Sequence, residues 1–535
     1  MDAAAPAEPL RLAIAAVLCA MSAGAWAQAT ADMAGVSNLL LVPRFTVTQT
    51  FTDNVFLSAG ARQAEAITEL SPGIRVSSRG GRVSGSLDYA LNELLYANHS
   101  AGRTAQNALN AMATVEAIEG RAFIDLSGVV AQQAISAFGA PVVDAALLGA
   151  NRTETAVYRI APSLRGRLGA ETQYEARLGF GSSRSKSALV SDIETQEASA
   201  RIGAVEGRLG AAWFLQASAQ RADYRAGRTT LMQRADAQLG YPLGESVAAY
   251  AKAGFEKNDL SDATGQQEQF GALGATWAPS DEARLSVDTD ASGRTGIVAA
   301  WSPSKRANLS FTREHRLYGD SHTLALVYRS ANTAWTFSDT RAALSTPGRS
   351  GFNDTASVYD LLLAQFSATE SDPIKRERYA QFLLANGIRP SPSAVLGFQS
   401  AALALQRQQQ LSFALLGVRS TLSVVATRSA NSRLDSLSAA ADDLSAGGSL
   451  RQDGLSLSFS QRLSVDSSFN AVVARQIASR SADGRKNASA SFNATVTMQV
   501  RNDIAATLGA RRVTTNGSAS PFTESALFAN LTVRF

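Results

Sequence analysis

The chain has 535 residues, 45% of them apolar and 18% charged, and a formal net charge of +4. Past the first thirty residues no stretch holds the ~18 consecutive apolar residues of a spanning helix, which excludes a helical inner-membrane protein. Glycine is plentiful (40) and proline scarce (14), so the length fits either several soluble domains or one large closed sheet, with composition favouring the sheet.

Residues 1–27 read as a secretory signal. Arg11 precedes the apolar run 12–20, and Ala25-Trp26-Ala27 supplies a small-x-small cleavage site before Gln28. Asp2 and Glu8 make its charged region atypical. Cys19, the single cysteine, lies inside this signal, and Leu18 stands where a lipoprotein signal has a small residue. The processed chain then has no thiol, which removes disulfides, thiolate metal sites and cysteine nucleophiles and suits passage through an oxidising periplasm. Residues 28–43 are expected to form a short periplasmic segment.

From residue 44 onward the pattern is one of alternation. Over residues 167–180, Leu168, Ala170, Thr172, Tyr174, Ala176, Leu178 and Phe180 interleave with Arg167, Glu171, Gln173, Glu175 and Arg177. Val83, Leu87, Tyr89 and Leu91 interleave with Arg82, Ser84, Ser86, Asp88 and Asn92, and Leu209, Trp213 and Leu215 with Arg208, Gln216 and Gln220. Leu455, Leu457, Phe459 and Leu463 do so with Ser456, Ser458, Ser460 and Arg462, and Phe492, Val496 and Met498 with Ser491, Asn493, Thr495 and Gln499. A helix would scramble these sets. A wall with lipid on one side and water on the other requires them, although a soluble sandwich also alternates.

Connector lengths separate those two folds. Tight links at 78–81, 119–121, 205–208, 280–282 and 502–503 alternate with long polar stretches at 53–65, 130–151, 181–191, 257–266 and 429–450. Short turns on one side and long loops on the other describe a bacterial barrel with periplasmic turns and extracellular loops. The expected fold is therefore all-β, a transmembrane antiparallel up-and-down β-barrel over residues 44–535. It has about 24 strands, with 20 or 22 as the other even counts because residues 284–301 alternate weakly. The last strand puts Leu527, Leu531, Val533 and Phe535 on one face, and Leu531, Val533 and Phe535 resemble the insertion signal of outer-membrane proteins.

One segment, residues 342–406, departs from the period of two. Asp372-Pro373 marks a helix start and Asn386-Gly387 with Pro390 a stop, and Ile374, Tyr379, Phe382 and Leu383 would share a face between them. A preceding helix over 355–366 would present Val358, Leu361, Leu362 and Phe366. A helical hairpin on the extracellular side is expected, serving as a plug through Leu361, Leu362, Phe366, Tyr379, Phe382 and Leu383 or as a long surface loop. Deleting residues 351–391 should raise single-channel conductance if it is a plug.

No catalytic motif stands out. His99, His315 and His322 have no metal-ligand spacing, and GxSxG, GxxxxGK[ST] and HExxH are absent. No cofactor, metal or nucleic-acid partner is implied, and an enzyme is not expected. An outer-membrane hydrolase assembled from distant strands is the third function to weigh. The chain holds 44 arginines and six lysines. The pore-lining candidates are Arg82, Asp88, Arg167, Glu171, Glu175, Arg177, Arg208, Arg462, Arg511 and Arg534. Unpaired, such arginines would favour anionic solutes; paired with Asp88, Glu171 or Glu175 they would stiffen the wall.

The opening strand and loop Phe51-Thr52-Asp53-Asn54-Val55-Phe56-Leu57, followed by Glu69-Leu70-Ser71-Pro72-Gly73-Ile74, resembles the start of the PEP-CTERM system-associated outer-membrane proteins of Gram-negative bacteria. Residues 376–387 and 411–422 are similar to that family too. The resemblance implies a place in the outer membrane and a conduit that exports or organises surface exopolysaccharide. Its implied partners are outer-membrane lipids, the barrel-assembly machinery and polysaccharide or polysaccharide-export proteins. The competing class is a non-conducting anchor whose loops bind polymer or partner proteins.

Overall fold

The computed structural model describes residues 39–535 apart from 79–80, 99–102, 143, 188–190, 226–228, 261–264, 344–349, 352–396, 399–402, 435–442, 445–446 and 518–520. Within these residues 24 antiparallel strands form one sheet in which each strand pairs with its chain neighbours. The first strand, Leu39–Thr52, also pairs with the last, Phe522–Arg534, from Arg44↔Arg534 to Thr52↔Ala526. The ring is therefore closed, and no edge is left to aggregate. The Phe535 amide donates to the Pro43 carbonyl at 2.9 Å and finishes the seam.

The expected strand count and loop parity are realised. Turns of two to eight residues lie at the end where both termini of the barrel meet, and the longest connections, 53–64, 135–151, 344–403 and 434–448, lie at the other. The weakly alternating stretch resolves into two short strands, Ala283–Asp290 and Thr295–Ser304. Gly293, at φ 76°, closes the tight link between them.

Two boundaries differ from the sequence expectation. Leu39 to Pro43 already pair with Ser78 to Ile74, because five apolar residues opposite a free strand are better used in the ladder than in water. The segment 342–406 is flanked more tightly than expected. Ala342 and Ala343 end the strand Thr333–Ala343, while Ala404 to Gln406 begin Ala404–Leu416 and pair back to it. Between them, Ser350–Gly351 pairs with Gly397–Phe398. No helix occurs among the described residues, so the helical hairpin is not part of the described fold. Leu361, Leu362, Phe366, Tyr379, Phe382 and Leu383 lie outside the described residues.

Side-chain direction follows the register. The outward set includes Leu239 and Leu273 (both 70% exposed), Leu508, Leu527 and Leu531, a belt of apolar surface that only lipid would cover. The four described tryptophans, Trp213, Trp277, Trp301 and Trp335, all point outward at the short-turn end, joined by Tyr241 and Tyr328. That is the aromatic girdle of a membrane interface. Belt, girdle and loop asymmetry place the chain in a Gram-negative outer membrane, with the long loops extracellular.

Candidate functional site: the lumen and its extracellular mouth

A circular ring of 24 strands, spaced about 4.8 Å apart and tilted by ~40°, would measure ~48 Å between opposite backbones. The extracellular mouth is far narrower. Phe138 lies four residues beyond the strand Ala122–Ala134, a reach of at most ~14 Å. It nevertheless packs in one cluster with Leu450, Ala478 and Ala404, on strands eight or more positions away around the ring, and with Leu444 of the connection 434–448. A second bridge joins Ile193, Ala222 and Tyr224 on one wall to Leu403 on the other, with Leu434 against it. The mouth is thus flattened, and apolar side chains zip its walls together.

The loop 135–151 occupies the centre of this seal. Ala146 and Leu147, 2% and 1% exposed, insert among Val55, Ile67, Leu94, Tyr96, Val513 and Phe522. The Tyr96 hydroxyl donates to the Ala146 carbonyl at 2.7 Å, Gln106 Nε2 to the Ala145 carbonyl at 2.9 Å, and the Leu148 amide to the Val55 carbonyl at 2.8 Å. At the far end Asp443 accepts from the Ala137 amide at 2.7 Å and the Ser136 hydroxyl at 3.0 Å. Arg480 and Arg485 lie over the Phe138 ring at 5.3 and 5.2 Å.

An ionic latch fixes the loop to the seam of the barrel. Arg511 donates to Asp144 at 2.5 Å and to both oxygens of Glu524 at 2.9 and 3.2 Å, and Thr52 donates to Glu524 at 2.9 Å. Glu524 is fully buried, so its charge is tolerable only with this partner. Burial pushes the Asp144 carboxyl up, but Arg511, the Ala146 amide and Arg152 outweigh it and hold the group below the usual carboxylate range. The neighbouring loop 53–64 carries Leu57 at φ 55°, a left-handed conformation unusual for leucine, kept there by packing at the same seal.

Below the mouth the lumen has two unlike sectors. From Asp125 round to Arg316 the wall is charged but paired: Arg177–Asp125 at 2.9 Å, Arg159–Glu197 at 2.6 Å, Arg234–Asp236 at 3.0 Å and Arg234–Glu256 at 3.4 Å. From the strand Thr333–Ala343 through the seam to Leu39–Thr52 the mid-wall is uncharged and mostly amide and hydroxyl, with Val425 and Val472 among them. Register directs Gln408, Gln410, Ser412, Thr427, Ser456, Ser458, Asn493, Thr495, Asn530 and Thr48 inward there. Charge in this sector stands only toward the two ends, as at Arg511 and Arg534.

The sequence-derived candidates fall into distinct places. Asp88 lies on the inward set, paired with Arg44 at 2.5 Å. Arg177 is paired as above. Glu175 and Arg167 are inward and exposed, near the short-turn end. Arg511 is 9% exposed and serves the latch. Arg534 lies at the inward end of the last strand, and Arg462 is exposed at the end of Ser449–Arg462. Arg82 and Glu171 sit in periplasmic turns, where their carbonyls accept from Glu116 and Val205. Arg208 is a turn residue whose guanidinium donates to the Ala278 and Pro279 carbonyls at 2.8 and 2.7 Å, so it ties two turns together. These residues form no single ring, and the paired ones present little free positive charge. Asp144 and Arg44, which the alternation did not single out, carry the pairing.

No group of three or more potential metal ligands occurs among the described residues. No family model matches the chain, and no curated protein matches it. Solved structures of similar fold include the FrpB iron transporter from Neisseria meningitidis, at 10% identity and a TM-score of 0.43, covering 94% of this chain and 83% of that one. The siderophore receptor PirA from Pseudomonas aeruginosa is similar at 9% identity and 0.38, covering 92% and 80%. OccK2 (OpdF) from Pseudomonas aeruginosa is similar at 9% and 0.34, covering 92% and 98%.

Proposed function

We propose that this outer-membrane barrel is a gated conduit whose cargo is a hydroxyl-rich, weakly charged surface polysaccharide. The observation that carries the reading is the uncharged amide and hydroxyl wall inside a ring wide enough to leave an aqueous channel. Such a wall exchanges hydrogen bonds with sugar hydroxyls without holding them by charge, and release is as necessary to conduction as entry. Much of the charged sector is held in ion pairs, so those residues add stiffness more than selectivity. The likeness of residues 51–57 and 69–74 to PEP-CTERM-associated proteins supplies the polysaccharide context. Proteoliposome swelling with neutral oligosaccharides tests the proposal. Wild-type vesicles should swell slowly and a mouth-opened variant fast, and Ser458→Arg with Gln410→Arg in the opened variant should slow them. Equal swelling of opened and empty vesicles would end the conduit reading.

The sealed mouth favours one other reading, a non-conducting anchor that binds polymer at its loops. In that case opening the mouth gives no stable conductance, while loop variants lose polymer binding.

A further inference from the structure

We infer that the outer wall carries a docking site for the phosphate groups of an anionic glycolipid in the outer leaflet. Six consecutive strands bring one outward-facing position each into direct register: Arg313↔His322, His322↔Arg341, Arg341↔Arg407, Arg407↔Ala430 and Ala430↔Arg451. Arg428, one outward position closer to the membrane, fills the gap at Ala430. With strands about 4.8 Å apart the row is ~24 Å long. The side chains are open to solvent: Arg313 is 44% exposed, Arg407 50%, Arg428 52% and Arg451 47%.

The row's position is specific. Two outward positions further toward the membrane, the same strands carry Leu309, Leu326, Phe337, Leu411, Ala426 and Leu455 in register. The basic row therefore stands where acyl chains give way to head groups on the extracellular side. The first four strands end their outward faces in Phe51, Ala66, Leu95 and Ala105, with one ion pair, Glu93–Arg103.

Charge and geometry select the ligand. Five arginines face three aspartates, and the aspartates orient them: Asp320 on Arg313 at 2.9 Å, Asp339 on Arg407 at 2.6 Å, and Asp453 on Arg428 and Arg451 at 2.7 and 2.8 Å. An excess of positive charge remains, in planar forks that match phosphate oxygens bidentately. A phosphorylated lipid whose chains lie on the apolar belt satisfies both rows at once, and a free anion satisfies only the upper one. Such a lipid brace would stiffen the wall that continues into the extracellular zip.

The experiment uses the detergent-solubilised full protein and lipid nanodiscs containing outer-membrane glycolipid, either intact or phosphatase-treated. Wild-type protein should retain the intact lipid about tenfold more tightly than the dephosphorylated one. Arg341→Gln with Arg407→Gln and Arg451→Gln should remove that difference while keeping heat-modifiable gel mobility. Equal retention of the two lipids by wild-type protein would overturn the proposal without any variant. Equal retention of phosphatidylglycerol would overturn the glycolipid assignment, and competition by millimolar inorganic phosphate alone would overturn the need for the apolar belt.

Discussion

Removing the carboxylate of Asp144 should unlatch the mouth. In Asp144→Ala, Arg511 keeps Glu524 but loses the 2.5 Å bond to the loop, and the Ala146 amide loses its 2.8 Å acceptor. Breaking a buried pair by deleting one partner costs 3–5 kcal/mol when the other is left uncompensated. Here compensation by Glu524 and the 21% exposure of Asp144 bring the loss to about 2–3 kcal/mol. That corresponds to a roughly 30- to 150-fold shift toward the open mouth. Phe138 and Leu147 still hold the loop by apolar burial, so Asp144→Ala combined with Leu147→Ala, which adds about 2–5 kcal/mol, should open it fully. Planar-bilayer recording reads the outcome as open probability. If neither the single nor the double variant conducts more than wild type, the loop 135–151 is not the gate.

The latch also predicts an acid response. The Asp144 carboxyl sits below its ordinary value, so its contribution is fully present above the unfolded value near ~4 and is lost as pH falls through the lower folded one. Conductance should therefore rise only below about pH 4, and Asp144→Asn should abolish that rise. Arg44→Gln frees Asp88 from its partner on the inner wall and should move reversal potentials toward cation selectivity. Arg208→Ala removes donors to the Ala278 and Pro279 carbonyls and should cost about 1 kcal/mol, seen as a lower temperature for the boiled-to-unboiled mobility change, with conductance unaltered. Deleting Phe535 removes the bond to Pro43 and an outward aromatic, and should slow assembly as judged by the fraction of heat-modifiable barrel in outer membranes.

What the sequence discloses depends on whether the determining interaction is local. Alternation across residues 167–180 is a local property, and Leu178 and Phe180, 49% and 48% exposed, indeed face outward. Loop parity needs only connector lengths, which is why the 24 strands were countable. The gate was not legible. By length the loop 135–151 is one more long connector, and Asp144 meets Arg511 across 367 positions, a pairing set by ring closure. The visible signal was the apolar content of that connector, which holds Ile135, Phe138, Leu147 and Leu148 and only Ser136, Asp144 and Asn151 as polar side chains. Arginine counting misled for a related reason. Asp88 looked like a partner for any nearby cation, and only the register between the strands Leu39–Thr52, Glu65–Ser78 and Val83–Tyr96 brings Arg44 to it.

Flattening links the gate to the wall. A closed sheet keeps its strand number and its hydrogen bonds whether its section is round or collapsed, so the two shapes differ mainly in what the inner faces touch. At the mouth they touch each other through Phe138, Leu450, Tyr224 and Leu403. Deeper down, Gln410, Ser458 and Asn493 are turned inward by the register, Gln410 donating to Ser412 on its own strand at 3.2 Å. Opening then needs no strand to leave the ladder. It needs the apolar zip and the Asp144 latch to be released together, and a polymer bound among the loops could supply that energy by displacing Leu147 and Phe138 from their partners.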